Sequence, residues 1–173
     1  MGESIRESER MIFTTVRPED ISKLMDIHNS NPFYNLVSTG KLEVTQEEIE
    51  EDLNCNTEFS DSYSILLIEK NSGELIGHSQ FITCNPRDNK PWLGLIITHK
   101  DQQGKGYARE FIEVLVSWLE DRGFDELHLA VLEKNEKVLP FYHQLGFAYY
   151  ETRVTEKYGP ARCLKRVFKG SSK

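Results

Sequence analysis

Cysteine is scarce in this chain. Its three residues, Cys55, Cys84 and Cys163, are odd in number and far apart. They form no zinc or redox spacing, and free thiols in a reducing cytoplasm are the expected state. Long apolar runs are missing too. No stretch approaches the roughly 20 residues that cross a bilayer, so no membrane partner is expected. The opening residues, Met1 to Glu7, are charged and lack an apolar signal core. Gly2 follows Met1, yet position 6 is Arg6 rather than Ser or Thr, which breaks the myristoylation pattern. Basic runs are absent. A net charge of −7 and a pI near 5.3 argue against nucleic acid as the main partner. There is no internal repeat and no linker. The 173 residues suggest one domain with a real core. It is expected over residues 10–169, with 1–9 and 170–173 as flexible tails.

What the chain does carry is a glycine-rich turn, Gln103-Gly104-Lys105-Gly106-Tyr107-Ala108. An apolar run, Leu93 to Thr98, precedes it, and an amphipathic helical pattern follows. Glycines let the backbone approach a ligand and adopt positive φ. The first N–H groups of a helix lack partners within it, and the helix dipole adds partial positive charge. Such a turn is an anion site. It is not an ATP-type P-loop, because Tyr107 stands where Lys and Ser or Thr would be needed. Nor is it the dinucleotide fingerprint, because Arg109 occupies the third glycine position.

The rest of the pattern alternates. Ile12 to Val16 reads as a strand, and Pro18 starts a helix whose face carries Ile21, Leu24, Met25 and His28. Residues 29–44 read as a loop. Thr45 to Glu48 is a capping box, with Val44 and Ile49 as a hydrophobic staple, opening a helix to about Cys55. Strands are expected over Tyr63–Glu69, Leu75–Thr83 and Trp92–Thr98. A helix from Tyr107 is ended by Gly123. A strand over Leu127–Val131, a helix over Asn135–Leu145 and strands over Ala148–Thr155 and Arg162–Phe168 complete the chain. This order implies a mixed sheet with helices packed on it.

Downstream of the turn, Leu127 to Val131 is followed by Asn135 and then by Phe141-Tyr142-His143-Gln144-Leu145-Gly146-Phe147. Together with Gln-x-x-Gly-x-Ala at 103–108, this resembles the cofactor site of the GNAT acyltransferases, the Gcn5-related N-acetyltransferases. The close likeness covers about residues 92–148. It implies an α/β (α+β) fold with a mostly antiparallel sheet of about seven strands and about four helices. It also implies an enzyme that moves acetyl from acetyl-CoA to a primary amine, a small molecule before a protein, by direct transfer in a ternary complex. No metal is implied. The alternative is a non-catalytic acyl-CoA sensor or interaction module on the same fold.

By that resemblance the amides of Gln103, Gly104, Lys105, Gly106, Tyr107 and Ala108 hold the pyrophosphate. Lys105 either adds charge or is a solvated surface lysine. Ile96, Ile97 and Thr98 pair with the pantetheine arm, where the family's strand splays at a bulge. Asn135 contacts the cofactor, caps its helix, or does both. Tyr142 is the general acid, or else a half-buried aromatic. The sequence departs from the family at the base, since Pro91 to Gly94 carry no carboxylate. Glu133 and His78 are the base candidates, against ordinary readings as a loop carboxylate and a structural histidine. Pro140 disturbs the expected helix and allows a later start, with residues 135–139 as an irregular turn. For the acceptor amine, Phe33 and Tyr34 are the pocket candidates. Glu47, Glu48, Glu50, Glu51 and Asp52 either attract a cation or form a solvated face. An exposed sheet edge offers a route to a homodimer that nothing in the residues requires.

Overall fold

The computed structural model describes residues 4–57 and 61–170. Strand β1 (Met11–Thr15) leads through a 3-10 turn (Pro18–Asp20) into helix α1 (Ile21–Asn29). Helices α2 (Pro32–Thr39) and α3 (Gln46–Thr57) follow. Strands β2 (Ser62–Glu69), β3 (Leu75–Ile82) and β4 (Trp92–Thr98) form a meander. Then come α4 (Tyr107–Glu120), β5 (Glu126–Leu132), a 3-10 turn (Glu133–Val138), α5 (Leu139–Gln144), β6 (Ala148–Thr155) and β7 (Gly159–Val167). One seven-stranded sheet results, in the order β1-β2-β3-β4-β5-β7-β6. Its pairs are antiparallel apart from β4 with β5. This is the mixed, mostly antiparallel sheet that was expected.

Helices cover both faces. On one, the stripe Phe111, Ile112, Leu115 and Leu119 of α4 packs on Phe13, Leu67, Phe81, Leu93, Leu127, Leu129 and Leu164. Each such side chain contributes about 1.5–3 kcal/mol when fully buried. On the other face, Ile21 and Leu24 of α1 and Ile49 of α3 meet Leu66 of β2. The capping box forms as read: Glu48 N–H donates to Thr45 Oγ1 (3.2 Å) and Thr45 N–H to Glu48 Oε2 (2.8 Å). Val44 and Ile49 share the same cluster.

Two expectations are corrected. Residues 32–39, expected within a loop, are helical, and the described residues form five α-helices. Pro32 suits a first turn, where its missing N–H is not needed, and Gly40 ends the helix at φ +79°. The length of α2, eight residues or about two turns, conceals it from pattern reading. Asn35 is buried, its amide donating to the carbonyls of His28 (2.9 Å) and Leu42 (3.1 Å). Residues 4–9, expected in a flexible tail, lie against the domain instead. Ile5 joins the α4 core, and Phe13 N–H donates to Arg6 O (2.7 Å).

Candidate active site

The site begins with a slip in β4. Gln80 of β3 faces Leu95 while Phe81 faces Leu93, so Gly94 is the extra residue of a bulge. The bulge inverts the alternation. Leu93 points into the α4 core, whereas Leu95 and Ile97 pack with Ile27 of α1. Strand β4 pairs with β5 only at Trp92–His128 and Leu93–Leu129. Beyond Leu93 the two strands part. From Gly94 to Thr98 the edge of β4 that faces β5 has no strand beside it among the described residues, while its other edge stays laddered to β3. Ile96, Ile97 and Thr98 all lie on this open half. Gly77 permits the close β3–β4 approach, since a Cβ there would stand 2.5 Å from the Ile97 carbonyl oxygen.

The open edge runs into the glycine turn. Gly104 and Gly106 have φ +77° and +85°, and Gly106 caps α4 without a side chain. Glu110 N–H bonds back to Gly106 O (3.0 Å). The amides of Tyr107, Ala108 and Arg109 therefore point out of the helix end. Asn31 of the α1–α2 junction donates to Thr98 O (3.0 Å), and Gln103 Nε2 donates to Asn31 Oδ1 (2.5 Å). Lys105 Nζ donates to Gln102 Oε1 (3.1 Å). Arg109 reaches Gln144 (3.3 Å).

Arg10 braces this turn, and no sequence signal pointed to it. Its Nη1 donates to Lys105 O (3.0 Å), and its guanidinium lies 4.3 Å from the centroid of the Tyr107 ring. Its Nε donates to Glu110 Oε2 (2.6 Å). Glu110 is a carboxylate in the first turn of the very helix that would face an anion. Burial opposes its charge. Bonds from Ser8 and from the Arg10 backbone and guanidinium outweigh burial and hold its carboxyl below the ordinary range. The Arg10 charge thus offsets a repulsive one.

Past β5 the chain takes the later helix start. Residues 133–138 form a 3-10 turn with Asn135 out of helical geometry (φ −110°, ψ 28°), and α5 begins at Leu139 with Pro140 in its first turn. The N–H that proline lacks is not needed there. Asn135 is therefore not an α-helix cap. Tyr142 is half-buried on α5 with its ring edge-on to Phe141 and Phe147 (5.1 and 5.9 Å). Burial pushes its phenol up to about 12. The Tyr34 phenol is raised further, first by burial, then by the nearby Tyr142, Asp52 and Tyr158. Tyr34 itself packs on Ile27, Leu95 and Ile97. Lys137 Nζ sits 3.6 Å from the Phe33 ring centroid, joining α2 to the turn after β5. The structure thus brings Tyr34, Tyr142 and the open half of β4 together, with Phe33 at the exposed rim.

The two base candidates fare differently. Glu133 is exposed and lines a cleft of about 470 Å³ with Leu139, His143, Tyr149, Thr152, Arg162 and Leu164. Neither Tyr142 nor Tyr34 is in that lining. His78 lies on the face of β3 opposite Ile97, but it is buried. One ring nitrogen is 3.3 Å from His28 and the other 2.9 Å from Ser64, so it has no nitrogen left for a substrate. Of the acidic residues on α3, Glu48 serves the cap and pairs with Lys41 (2.6 Å). Asp52 turns to the sheet and accepts from Gln80 Nε2 (3.1 Å).

A sheet opened at a bulge, a glycine turn leading from its open edge into α4 and a tyrosine-bearing helix across the gap make up the site of this α/β fold. The chain belongs to the Acetyltransferase (GNAT) family, whose model matches residues 23–147. An acetyltransferase from Thermus thermophilus has the same fold, at TM-score 0.77 and 22% identity, over 92% of this chain and 97% of that one. A spermidine N-acetyltransferase from Vibrio cholerae, solved with CoA and spermine, aligns at TM-score 0.66 and 18% identity, over 91% and 95%. An uncharacterised protein of Methanocaldococcus jannaschii is 25% identical over 146 residues. An uncharacterised protein of Bacillus subtilis, YkzC, is 28% identical over 91 residues, which is 53% of this chain. The chain spans 29% and 63% of the lengths of these two relatives.

Proposed function

We propose that this chain is a cytoplasmic N-acetyltransferase that moves acetyl from acetyl-CoA to a primary amine on a small molecule, by direct transfer in a ternary complex. The observation that carries this reading is the parting of β4 and β5 after Leu93, which leads straight into the glycine turn. The free edge at Ile96, Ile97 and Thr98 suits an extended amide-bearing arm, which would add to the sheet like a strand. The turn, Gln103 to Ala108, suits its pyrophosphate. One backbone N–H at the bulge polarises the thioester carbonyl, as in an oxyanion hole. Tyr142 donates a proton to the departing thiolate, and Asn135 contacts the arm from the turn after β5. Tyr34 and Phe33 border the acceptor. Direct transfer is favoured because Cys55, Cys84 and Cys163 all lie outside these elements.

The acceptor class is supported by charge. Asp52 beside Tyr34 and a net charge of −7 favour a cationic amine. The structurally similar Vibrio enzyme is a spermidine N-acetyltransferase. The sensor reading keeps one specific support, the lack of a carboxylate anywhere in β4. Calorimetry with acetyl-CoA, with ATP as control, tests the cofactor half. CoA release with a panel of amines tests the transfer half. Binding without release from any amine favours the sensor, and no binding by folded protein removes both readings.

A further inference from the structure

The acceptor side of the gap holds a chain of polar groups that the reading above leaves idle. His28, half-buried on α1, places Nε2 3.3 Å from Nδ1 of the buried His78. His78 Nε2 lies 2.9 Å from Ser64 Oγ on β2. The two imidazoles meet edge-on, 5.6 Å between centroids. His78 stands in register with Ile97 on the open half of β4. Ile27, next to His28, packs with Ile97 and Tyr34. His28 is thus at the wall shared by α1, α2 and the open strand.

A neutral imidazole has one donor and one acceptor nitrogen. Two arrangements satisfy these distances, and they differ in what they leave at the outer end. If His28 Nε2–H donates to His78 Nδ1, then His78 Nε2–H donates to Ser64 Oγ, and His28 Nδ1 carries a free lone pair. A proton taken there would be stabilised by the bond to His78. The logic is that of a base whose tautomer is fixed by a third group. The groups around His28 fit. Asp52 of α3 acts on it by its charge and His78 of β3 by its ring nitrogen, while the neighbouring Ile27 packs with Leu95 and Ile97 of β4 and with Tyr34 of α2. Burial lowers His28 from its ordinary value, with Asp52 opposing, so it is neutral at pH 7 and can accept.

We propose that His28 takes the proton from the attacking amine, and that His78 is a positioning residue that fixes its tautomer with Ser64 behind it. This rests on the acetyl-transfer reading. The amine nitrogen adds to the thioester carbonyl carbon, and its proton passes to His28 Nδ1. The C–S bond breaks, its electron pair leaves on sulfur, and sulfur takes the phenolic proton of Tyr142. Water then carries the proton of His28 back to the phenolate. Amine and thioester become amide and thiol.

The test compares the full chain with His28→Gln, His78→Leu and His78→Asn. It reads CoA release from a panel of amines, spermidine and simple diamines included, from pH 5.5 to 9.5. In the wild type, kcat/KM should show an acid limb centred below pH 6.5. His28→Gln should lose about 10²-fold at pH 7 and lose that limb, with acetyl-CoA binding by calorimetry unchanged. His78→Leu should weaken turnover and move the limb. His78→Asn keeps an acceptor near Nδ1 and should recover most of the rate. A His28→Gln enzyme with wild-type rate and profile overturns the proposal. So does wild-type binding of acetyl-CoA without transfer to any amine, while absence of binding overturns the reading beneath it. Nitrogen NMR on the unaltered protein gives a check that no variant's folding affects. Nε2–H tautomers at both histidines are expected, and an Nδ1–H tautomer at either one sinks the arrangement.

Discussion

Arg10 and Glu110 are one hundred residues apart in sequence and 2.6 Å apart in space. The pair ties the segment before β1 to the first turn of α4, and Arg10 holds the Lys105 carbonyl as well. Arg10→Ala should therefore do two things. It should cost about 1–2 kcal/mol of stability, because Glu110 loses the guanidinium's bond and charge while the backbone bond at residue 10 remains. It should also weaken acetyl-CoA binding, because an uncompensated carboxylate then faces the anion site. Denaturant unfolding and calorimetry read the two effects separately. Unchanged affinity would reduce Arg10 to a structural brace.

Two glycines make opposite demands, and substitution tells them apart. At Gly77 a Cβ would meet the Ile97 carbonyl at 2.5 Å, and the neighbour is backbone. Gly77→Ala should cost about 1–3 kcal/mol through overpacking and lower turnover by shifting β4. At Gly104 there is open space around a Cβ, but φ is +77°. Gly104→Ala should cost only the left-handed backbone penalty, about 1–2 kcal/mol. Its larger effect should be on acetyl-CoA affinity. Unfolding midpoints and binding constants of the pair check this, and equal losses of affinity would argue against the turn as the anion site.

Much of this was legible in the sequence because it rests on local rules. Gly104 and Gly106 mark a left-handed turn before a helix, Thr45 and Glu48 mark a cap, and Phe111, Ile112, Leu115 and Leu119 mark a face. Pro140 was legible as a disturbance, and it resolves as the first turn of a late-starting helix. What escaped was set by long-range partners. Helix α2 is only eight residues long, and its Ser38 and Thr39 hydroxyls bond back to the carbonyls of Tyr34 (2.8 Å) and Asn35 (2.7 Å). Its buried face is defined by carbonyls of other segments. Arg10 carried no local signal because its partners lie about a hundred residues away. His28 reads as one more residue of an apolar helix face until β3 places His78 beside it.

Tyr142 yields a prediction about chemistry. Its phenol is pushed up to about 12 by burial, so it stays protonated throughout the neutral range. An acid must hold its proton to act, so activity is lost only as pH rises through that value. Tyr142 should give no alkaline fall in kcat up to about pH 10. Tyr142→Phe should lower kcat by about 10²-fold while acetyl-CoA still binds. A variant with full turnover would remove Tyr142 from the mechanism, and one that no longer binds would make it part of the cofactor wall.

The buried histidine also sets how stability depends on acid. His78 titrates at 6.5 in an unfolded chain and near 3 in the fold, first because of burial and then because of His28. Below pH 6.5 the unfolded chain therefore binds a proton that the folded chain refuses. Stability present above pH 6.5 falls as pH drops, by up to about 1.4 kcal/mol per pH unit, until the folded value is reached. His28, lowered in the same direction, adds to the slope. Glu126 acts in another window. Burial alone would raise its carboxyl, but bonds from His128 and Lys90 and the charge of Lys165 hold it at about 2. Its contribution is present above its ordinary 4.5 and is lost only as pH falls from there toward 2. The interval between pH 6.5 and 4.5 thus belongs to the histidines. Urea unfolding at half-unit steps across it should show a falling midpoint in the wild type and a shallower fall in His78→Asn, whatever that variant's starting stability. An equal slope in both would mean that His78 takes up its proton in the folded state, and the neutral His28–His78 pair would then not exist at pH 5.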